Sequence, residues 1–213
     1  MRFDLTPSGQ GARDTLTIEN PQNRELTVEI FAVSIDVAED GEETRTPADE
    51  DFLIFPPQAI IQPGATQNVQ VRYVGSPDIE TSRAYRLIVR QVPLDMTGQT
   101  NIALGVALSF ATLVNIVPDG AEPAPRVAAL EPAGPDAWRV FVENDGARYV
   151  RLSEYDFEFS EPGGANYRLA ASDLHDAVGQ QTTFVPPRTR LRLDVPVGVR
   201  FADTPALRLA PVD

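Results

Sequence analysis

The chain has 213 residues, 31 acidic against 18 basic, for a formal net charge of −13. That balance makes the chain a poor partner for nucleic acid, whose binding needs clustered cations, and disfavours docking on anionic lipid. With no cysteine there are no disulfides, thiol nucleophiles or thiolate metal sites.

All the basic residues are arginine, so any cationic role falls to a planar, always-charged, bidentate donor. The opening MRFDLTPSGQ lacks the apolar stretch of a secretory signal and enters a strand at once. It reads as the start of a mature protein whose leader has been removed. Nineteen prolines and fourteen glycines spread along the chain favour many short strands joined by turns.

In chain order, RFDL opens. DTLTIENP (14–21) alternates Leu16 and Ile18 with polar neighbours, and ELTVEIFAVSIDV (25–37) alternates Leu26, Val28 and Ile30. The alternation then shifts near Ala32, which predicts a bulge. AEDGEE is an acidic hairpin tip with Asp40-Gly41 as its turn. FLIFPP (52–57) ends at a double proline. A Pro63-Gly64 turn leads to Val69, Val71 and Tyr73 on one face. In RAYRLIVRQVP (83–93), Tyr85, Leu87 and Val89 share a face, and Ala84, Arg86, Ile88 and Arg90 lie on the other.

The stretch NIALGVALSFATLVNIVP (101–118) carries no charge. Its large residues (Ile102, Leu104, Val106, Leu108, Phe110) alternate with small ones, so it reads as a strand and not a membrane span. It is longer than an average strand. Two readings stand. One face packs the domain's own core, or the ridge is meant for another protein.

PDGAEPAPR (118–126) has three prolines and no period, and reads as a linker. The second half restarts with AWRVFVENDG (137–146), YVRLSEYDFEF (149–159), ANYRLA (165–170), TTFVPP (182–187), RLRLDVPV (190–197) and ALRLAPV (206–212). TLTIENP and RVFVEND share a theme without forming a sequence repeat. The expected fold is all-β: two immunoglobulin-like β-sandwiches joined by a short linker and forming a cleft. The boundaries are 1–118, a linker at 119–126 and a smaller sandwich at 127–213.

Enzyme chemistry is thinly supplied. The one histidine, His175, sits in a loop between Asp173 and Asp176, and no nucleophile elbow, Walker loop or dinucleotide fingerprint is present. The carboxylates at Glu39, Asp40, Glu42 and Glu43 and at Asp49, Glu50 and Asp51 fit no calcium-loop spacing. No catalytic residue, metal or cofactor is expected. The chain reads as a binding or structural protein, and a two-domain structural or adhesive surface protein is one such reading. A glycan-binding or hydrolytic sandwich is poorly served by one tryptophan and one histidine.

The order of features resembles the periplasmic pilus-assembly chaperones of the chaperone–usher pathway, the PapD-like family. The resemblance rests on DTLTIENP, on FLIFPPQAIIQPGATQNVQVRYVG with its Arg72, on SRAYRLIVRQVPLD ending in Val92-Pro93, and on NIALGVALSFATLVNIVP. WRVFVENDGARYVRLSEYDFEF is similar to the family's second domain. Tyr85-Arg86 looks like the divergent, archaic-type branch.

The resemblance implies a periplasmic protein that donates the strand 101–117 to pilus or fimbrial subunits with incomplete sandwiches, before an outer-membrane usher assembles them. The implied donor residues are Leu104, Val106, Leu108 and Phe110. The free protein is expected to self-associate through this strand. The family holds the subunit's terminal carboxylate with an arginine in the first strand and a lysine in the last. Here Gly9 (or Ser8) and Leu113 stand at those places, so Arg86 and Arg90 are the candidate replacements.

Overall fold

Residues 2–92 and 109–212 of the computed structural model are described. They form two compact units. The first comprises Met1–Ile35, Arg45–Ile79 and Arg83–Asp119. The second comprises Asp36–Thr44, Glu80–Ser82 and Gly120–Asp213, so two short pieces from within 1–118 group with it.

The first unit carries β1 (Arg2–Leu5), β2 (Arg13–Glu19), β3 (Leu26–Val37), β4 (Glu43–Pro47), β5 (Phe52–Phe55), β6 (Gln58–Ile61), β7 (Thr66–Tyr73), β8 (Arg83–Gln91) and β9 (Ser109–Ile116). One sheet runs β1-β9-β8-β3-β4, with β6 also on β3, and a second runs β2-β7-β5. Period-2 patterning explains which face turns inward. On β7, Val69, Val71 and Tyr73 are buried while Gln70 and Arg72 are exposed. Leu16, Val28, Ile30, Leu87, Val114 and Ile116 pack into the same core. Phe52 meets Tyr73 and Tyr85 edge-on, with ring centroids 5.6 and 5.0 Å apart. The Tyr85 hydroxyl donates to Asp51 Oδ2 at 2.9 Å, which satisfies the one polar atom this ring buries.

Two expectations change here. The shift near Ala32 is not a bulge, because Val28 to Ser34 pair with Gln91 to Tyr85 in unbroken register. Val33 and Ile35 are buried as well as Ile30 and Ala32, so beyond Thr27 and Glu29 the strand is covered on both faces and loses the polar side that it alternated with. The second change concerns His175, which lies in a short helix and not in a loop. Leu174 and Val178 are buried four positions apart on that helix, and His175 is exposed.

The second unit carries β10 (Pro125–Gly134), β11 (Ala137–Asn144), β12 (Val150–Arg151), β13 (Tyr155–Ser160), β14 (Asn166–Leu169), the helix α1 (Leu174–Val178), β15 (Phe184–Val185), β16 (Thr189–Pro196) and β17 (Ala206–Pro211). Its sheets are β10-β11-β16, β14-β13-β17 and the short pair β12-β15. Pro125 and Arg126, expected in the linker, already pair with Asn144 and Glu143. Val140, Val142, Leu152, Phe157, Phe159, Leu191, Leu193 and Val195 form the core. No helix among the described residues is long and apolar enough to cross a membrane.

Candidate functional site: the edge and face of the last strand in the first unit

Strand β9 is asymmetric along its length. It pairs antiparallel with β8 over all eight residues, from Arg90↔Ser109 to Arg83↔Ile116. On its other side β1 runs parallel and covers only Leu113 to Ile116. Asn115 ties that covered half to β1, donating through Nδ2 to Asp4 Oδ1 at 3.0 Å. Residues 109–112 therefore have a neighbour on one side and, among the described residues, none on the other. Half of their backbone donors and acceptors face an open edge.

The side chains follow the same division. Val114 and Ile116 are buried in the core. Phe110 has the same parity, so it continues that face of the strand, yet it is 65% exposed. Ser109 and Ala111 are also exposed. One ridge thus fills its own core at one end and stands in solvent at the other. Beside Phe110 lies an apolar cavity of about 220 Å³, lined by Ile18, Leu26, Val28 and Val89 among others. Of the expected donor residues, Phe110 falls at this exposed end, and Leu104, Val106 and Leu108 lie outside the described residues.

The basic candidates separate. Arg90, opposite Ser109 at the open end, is paired with Glu29 directly across on β3, and its guanidinium lies 4.9 Å from the Phe31 ring centre. Its charge is already compensated. Arg86 is half-buried and directly opposite Leu113. Arg2 occupies the opposite register position on the other side of Leu113. The place where the resembled family carries a lysine is thus flanked in register by an arginine on each neighbouring strand. Period alone put Arg86 and Arg90 on one face, but only the register shows that Arg86 adjoins Leu113. Gly9, the other departure, lies in the turn between β1 and β2 at φ 76°, a left-handed conformation suited to glycine.

No group of three or more metal-ligating side chains occurs among the described residues.

Fold and strand edge together define an all-β, two-unit protein of immunoglobulin-like architecture. Residues 5–121 match the family described as pili and flagellar-assembly chaperone, PapD N-terminal domain, and the chain belongs to that family. No curated protein matches it in sequence. Solved structures share the fold at low identity. The Escherichia coli chaperone DraB aligns with a TM-score of 0.58 at 15% identity, covering 100% of this chain and 92% of that one. The structure of the Salmonella enterica SafB chaperone with the SafA pilin gives 0.56 at 16%, covering 98% and 93%. The CsuC–CsuE chaperone–tip adhesion subunit complex of archaic Csu pili from Acinetobacter baumannii gives 0.54 at 10%, covering 90% and 85%.

Proposed function

We propose that this pilus-assembly chaperone holds its client subunits by strand addition, with segment 101–117 lying along the open edge of an incomplete sandwich. The observation that supports this most directly is the half-covered β9. Its 109–112 edge has no partner strand among the described residues, and Phe110 on the core-facing parity is exposed. Main-chain hydrogen bonds along such an edge supply affinity, and alternate side chains entering pockets supply specificity. A fully buried large apolar side chain contributes roughly 1.5–3 kcal/mol, so Phe110 with Leu104, Val106 and Leu108 is enough to hold a subunit after ordering costs. A purely structural or adhesive module has no use for this exposed end. Among the described residues of the ridge, the core-strand reading fits Val114 and Ile116 and not Phe110.

On this reading the protein acts in the periplasm and hands subunits to an outer-membrane usher. It acts by binding, with no cofactor and no chemical step, and its own free copies self-associate through the same edge. Arg86 anchors the subunit's terminal carboxylate in place of the family's lysine, supported by its register beside Leu113. Arg90, opposite Ser109 and four positions from that place, does not.

The test is co-expression with secreted subunits followed by co-purification. Leu104→Asp with Leu108→Asp, and separately Phe110→Asp, should abolish capture while the circular dichroism spectrum stays that of the parent. Capture surviving in both folded variants rules out donation through this ridge. A charged hydrogen bond contributes roughly 1.5–3 kcal/mol. Arg86→Gln should therefore weaken subunit affinity about tenfold or more, and Arg90→Gln less than threefold. The reverse order retires the anchor assignment.

A further inference from the structure

The first unit has an open edge on its other sheet as well. Directly opposite residues of an antiparallel pair share a face. Arg13 on β2 stands opposite Arg72 on β7, Arg72 opposite Leu53 on β5, and Phe55 opposite Gln70. Leu53 and Phe55 are 58% and 68% exposed, and Val74 just beyond β7 is 49% exposed. The two arginines repel across the strands. Neither forms an ion pair among the described residues, and Arg13 is held only by donating to Gln10 Oε1 at 2.7 Å. In a chain of charge −13, this face is locally cationic and greasy.

The edge beside it is also unfilled. Val74 N–H donates to Asp51 C=O at 2.8 Å, which fixes the phase of the ladder. Hydrogen-bonded and non-bonded pairs alternate along an antiparallel pair. Leu53 and Phe55 therefore bond to β7, and the N–H and C=O of Ile54 point away from it. Strand β5 is the last in its sheet, so those groups face outward.

We infer that the β5 edge and its outer face are a docking surface for an extended acidic segment of a partner protein, one carrying large apolar side chains and a carboxylate on the same face. Its backbone pairs with Ile54. Its apolar groups lie beside Leu53 and Phe55. Its carboxylate meets the row Arg72–Arg13. A second copy of this chain fits less well. Antiparallel pairing of β5 with itself about Ile54 sets Leu53 against Phe55 and leaves both arginine rows without an anion. This surface is separate from the β9 edge and stands whether or not that edge donates a strand.

The experiment titrates the full chain, labelled with nitrogen-15, with two synthetic peptides, acetyl-TETLTLT-amide and acetyl-TKTLTLT-amide. The glutamate peptide should shift amide signals of β5 and β7 and bind at least tenfold more tightly than the lysine peptide. Arg72→Glu, whose remaining spectrum reports an intact fold, should reverse that order. The Leu104→Asp, Leu108→Asp variant should bind like the parent, which separates this surface from the donor strand. Equal affinity for the two peptides overturns the inference, as do shifts confined to 109–112. So does a dimer in sedimentation that Ile54→Pro abolishes, which assigns the edge to a second copy.

Discussion

Asn20 follows β2 in the first unit, and Asn144 ends β11 in the second. Each is buried, at 1% and 0% exposure. Each donates through Nδ2 to the carbonyl four positions on, Arg24 at 2.8 Å and Arg148 at 2.7 Å. Each donates again to the carbonyl 41 positions on, Ile61 and Val185. Each accepts at Oδ1 from the N–H two positions on, Gln22 and Gly146. The shift of 124 that carries 20 to 144 also carries Gly64 to Arg188. Their N–H groups bond to the Asn20 and Asn144 carbonyls at 2.8 and 2.7 Å. The same shift carries the strand pair Leu26↔Ile61 to Val150↔Val185, and Leu16, Val69 and Val71 to Val140, Leu193 and Val195. The two units are built on one frame.

They close that frame differently. Beside β7 the first unit adds β5, whose far side is open. Beside β16 the second unit places α1 and the loop after it. There the Gln181 side chain stands in for a strand, donating from Nε2 to Asp194 C=O at 3.0 Å and accepting from Asp194 N–H at 2.8 Å. Arg192 N–H is taken by Glu39 C=O at 2.6 Å. An edge whose hydrogen bonds are satisfied cannot recruit another chain. The β16 edge of the second unit is thus closed, whereas the corresponding side of the first unit ends in β5 with its far side open, and residues 109–112 leave a further open edge there.

The shared frame breaks first at the asparagines. Among the described residues the Asn144 side chain makes five hydrogen bonds and the Asn20 side chain three. Each contributes roughly 0.5–1.5 kcal/mol, and orphaned buried carbonyls cost more. Asn144→Ala should destabilise by about 4 kcal/mol and Asn20→Ala by about 3 kcal/mol. The one tryptophan, Trp138, lies in the second unit. Its fluorescence in urea should therefore move strongly for Asn144→Ala. Far-UV circular dichroism, which sees both units, should register Asn20→Ala. Midpoints unchanged from the parent in both would show that the two hubs are incidental.

Gln181→Ala opens the edge of β16. Two main-chain groups lose their partners, for about 1–2 kcal/mol, and the second unit acquires an edge like that of β5. Sedimentation should then show association beyond the parent's own, and it should persist when Leu104→Asp and Leu108→Asp remove self-association through the β9 segment. If the variant associates no more than the parent, edge closure is not what distinguishes the units.

A smaller, pH-dependent effect belongs to Asp156. The Arg168 guanidinium, and then the Ala171 N–H, hold its carboxyl below the ordinary 3.8. The unfolded chain takes up the proton first as pH falls. The stabilisation is therefore complete above the ordinary value and drains away as pH drops through the depressed one. Melting temperatures from pH 7 to pH 3 should fall less steeply for Asp156→Asn than for the parent. An identical slope would remove Asp156 from the acid response.

Much of this was legible in the sequence wherever one face is buried and the other wet. Period 2 located β2, β7, β8 and β9, and marked Phe110 on the ridge that ends at Val114 and Ile116. It failed where burial is two-sided, as at Val33 and Ile35, because a lost polar face looks like a shifted register. It missed α1, since a five-residue helix spans too little for a 3.6 period to show. The asparagine frame was visible only as the echo of IEN in VEN. The partners that give it meaning lie 41 positions away, and a local pattern holds no record of them. The open edges were equally hidden, because whether a strand has a second neighbour is a property of the sheet. Arg86 and Arg90 look equivalent in sequence, and the register separates them, Arg86 opposite Leu113 and Arg90 opposite Ser109.

The finest difference between the two frames is the turn residue that carries positive φ. At Gly64, φ is 70° and an added Cβ meets nothing within 4 Å, so only backbone conformation favours glycine there. At the matching place the second unit has Arg188, at φ 56°. A non-glycine residue in the left-handed region is disfavoured by roughly 1–2 kcal/mol, and glycine loses part of that gain to its freer unfolded chain. Arg188→Gly should therefore stabilise the second unit by about 0.5–1 kcal/mol, raising the urea midpoint seen by Trp138. Gly64→Ala should lower the first unit's stability by about 1 kcal/mol. The signs matter more than the sizes, because a common frame requires them to be opposite. If Arg188→Gly destabilises, the arginine side chain is making contacts that its glycine counterpart never had, and the correspondence between the two turns ends at the backbone.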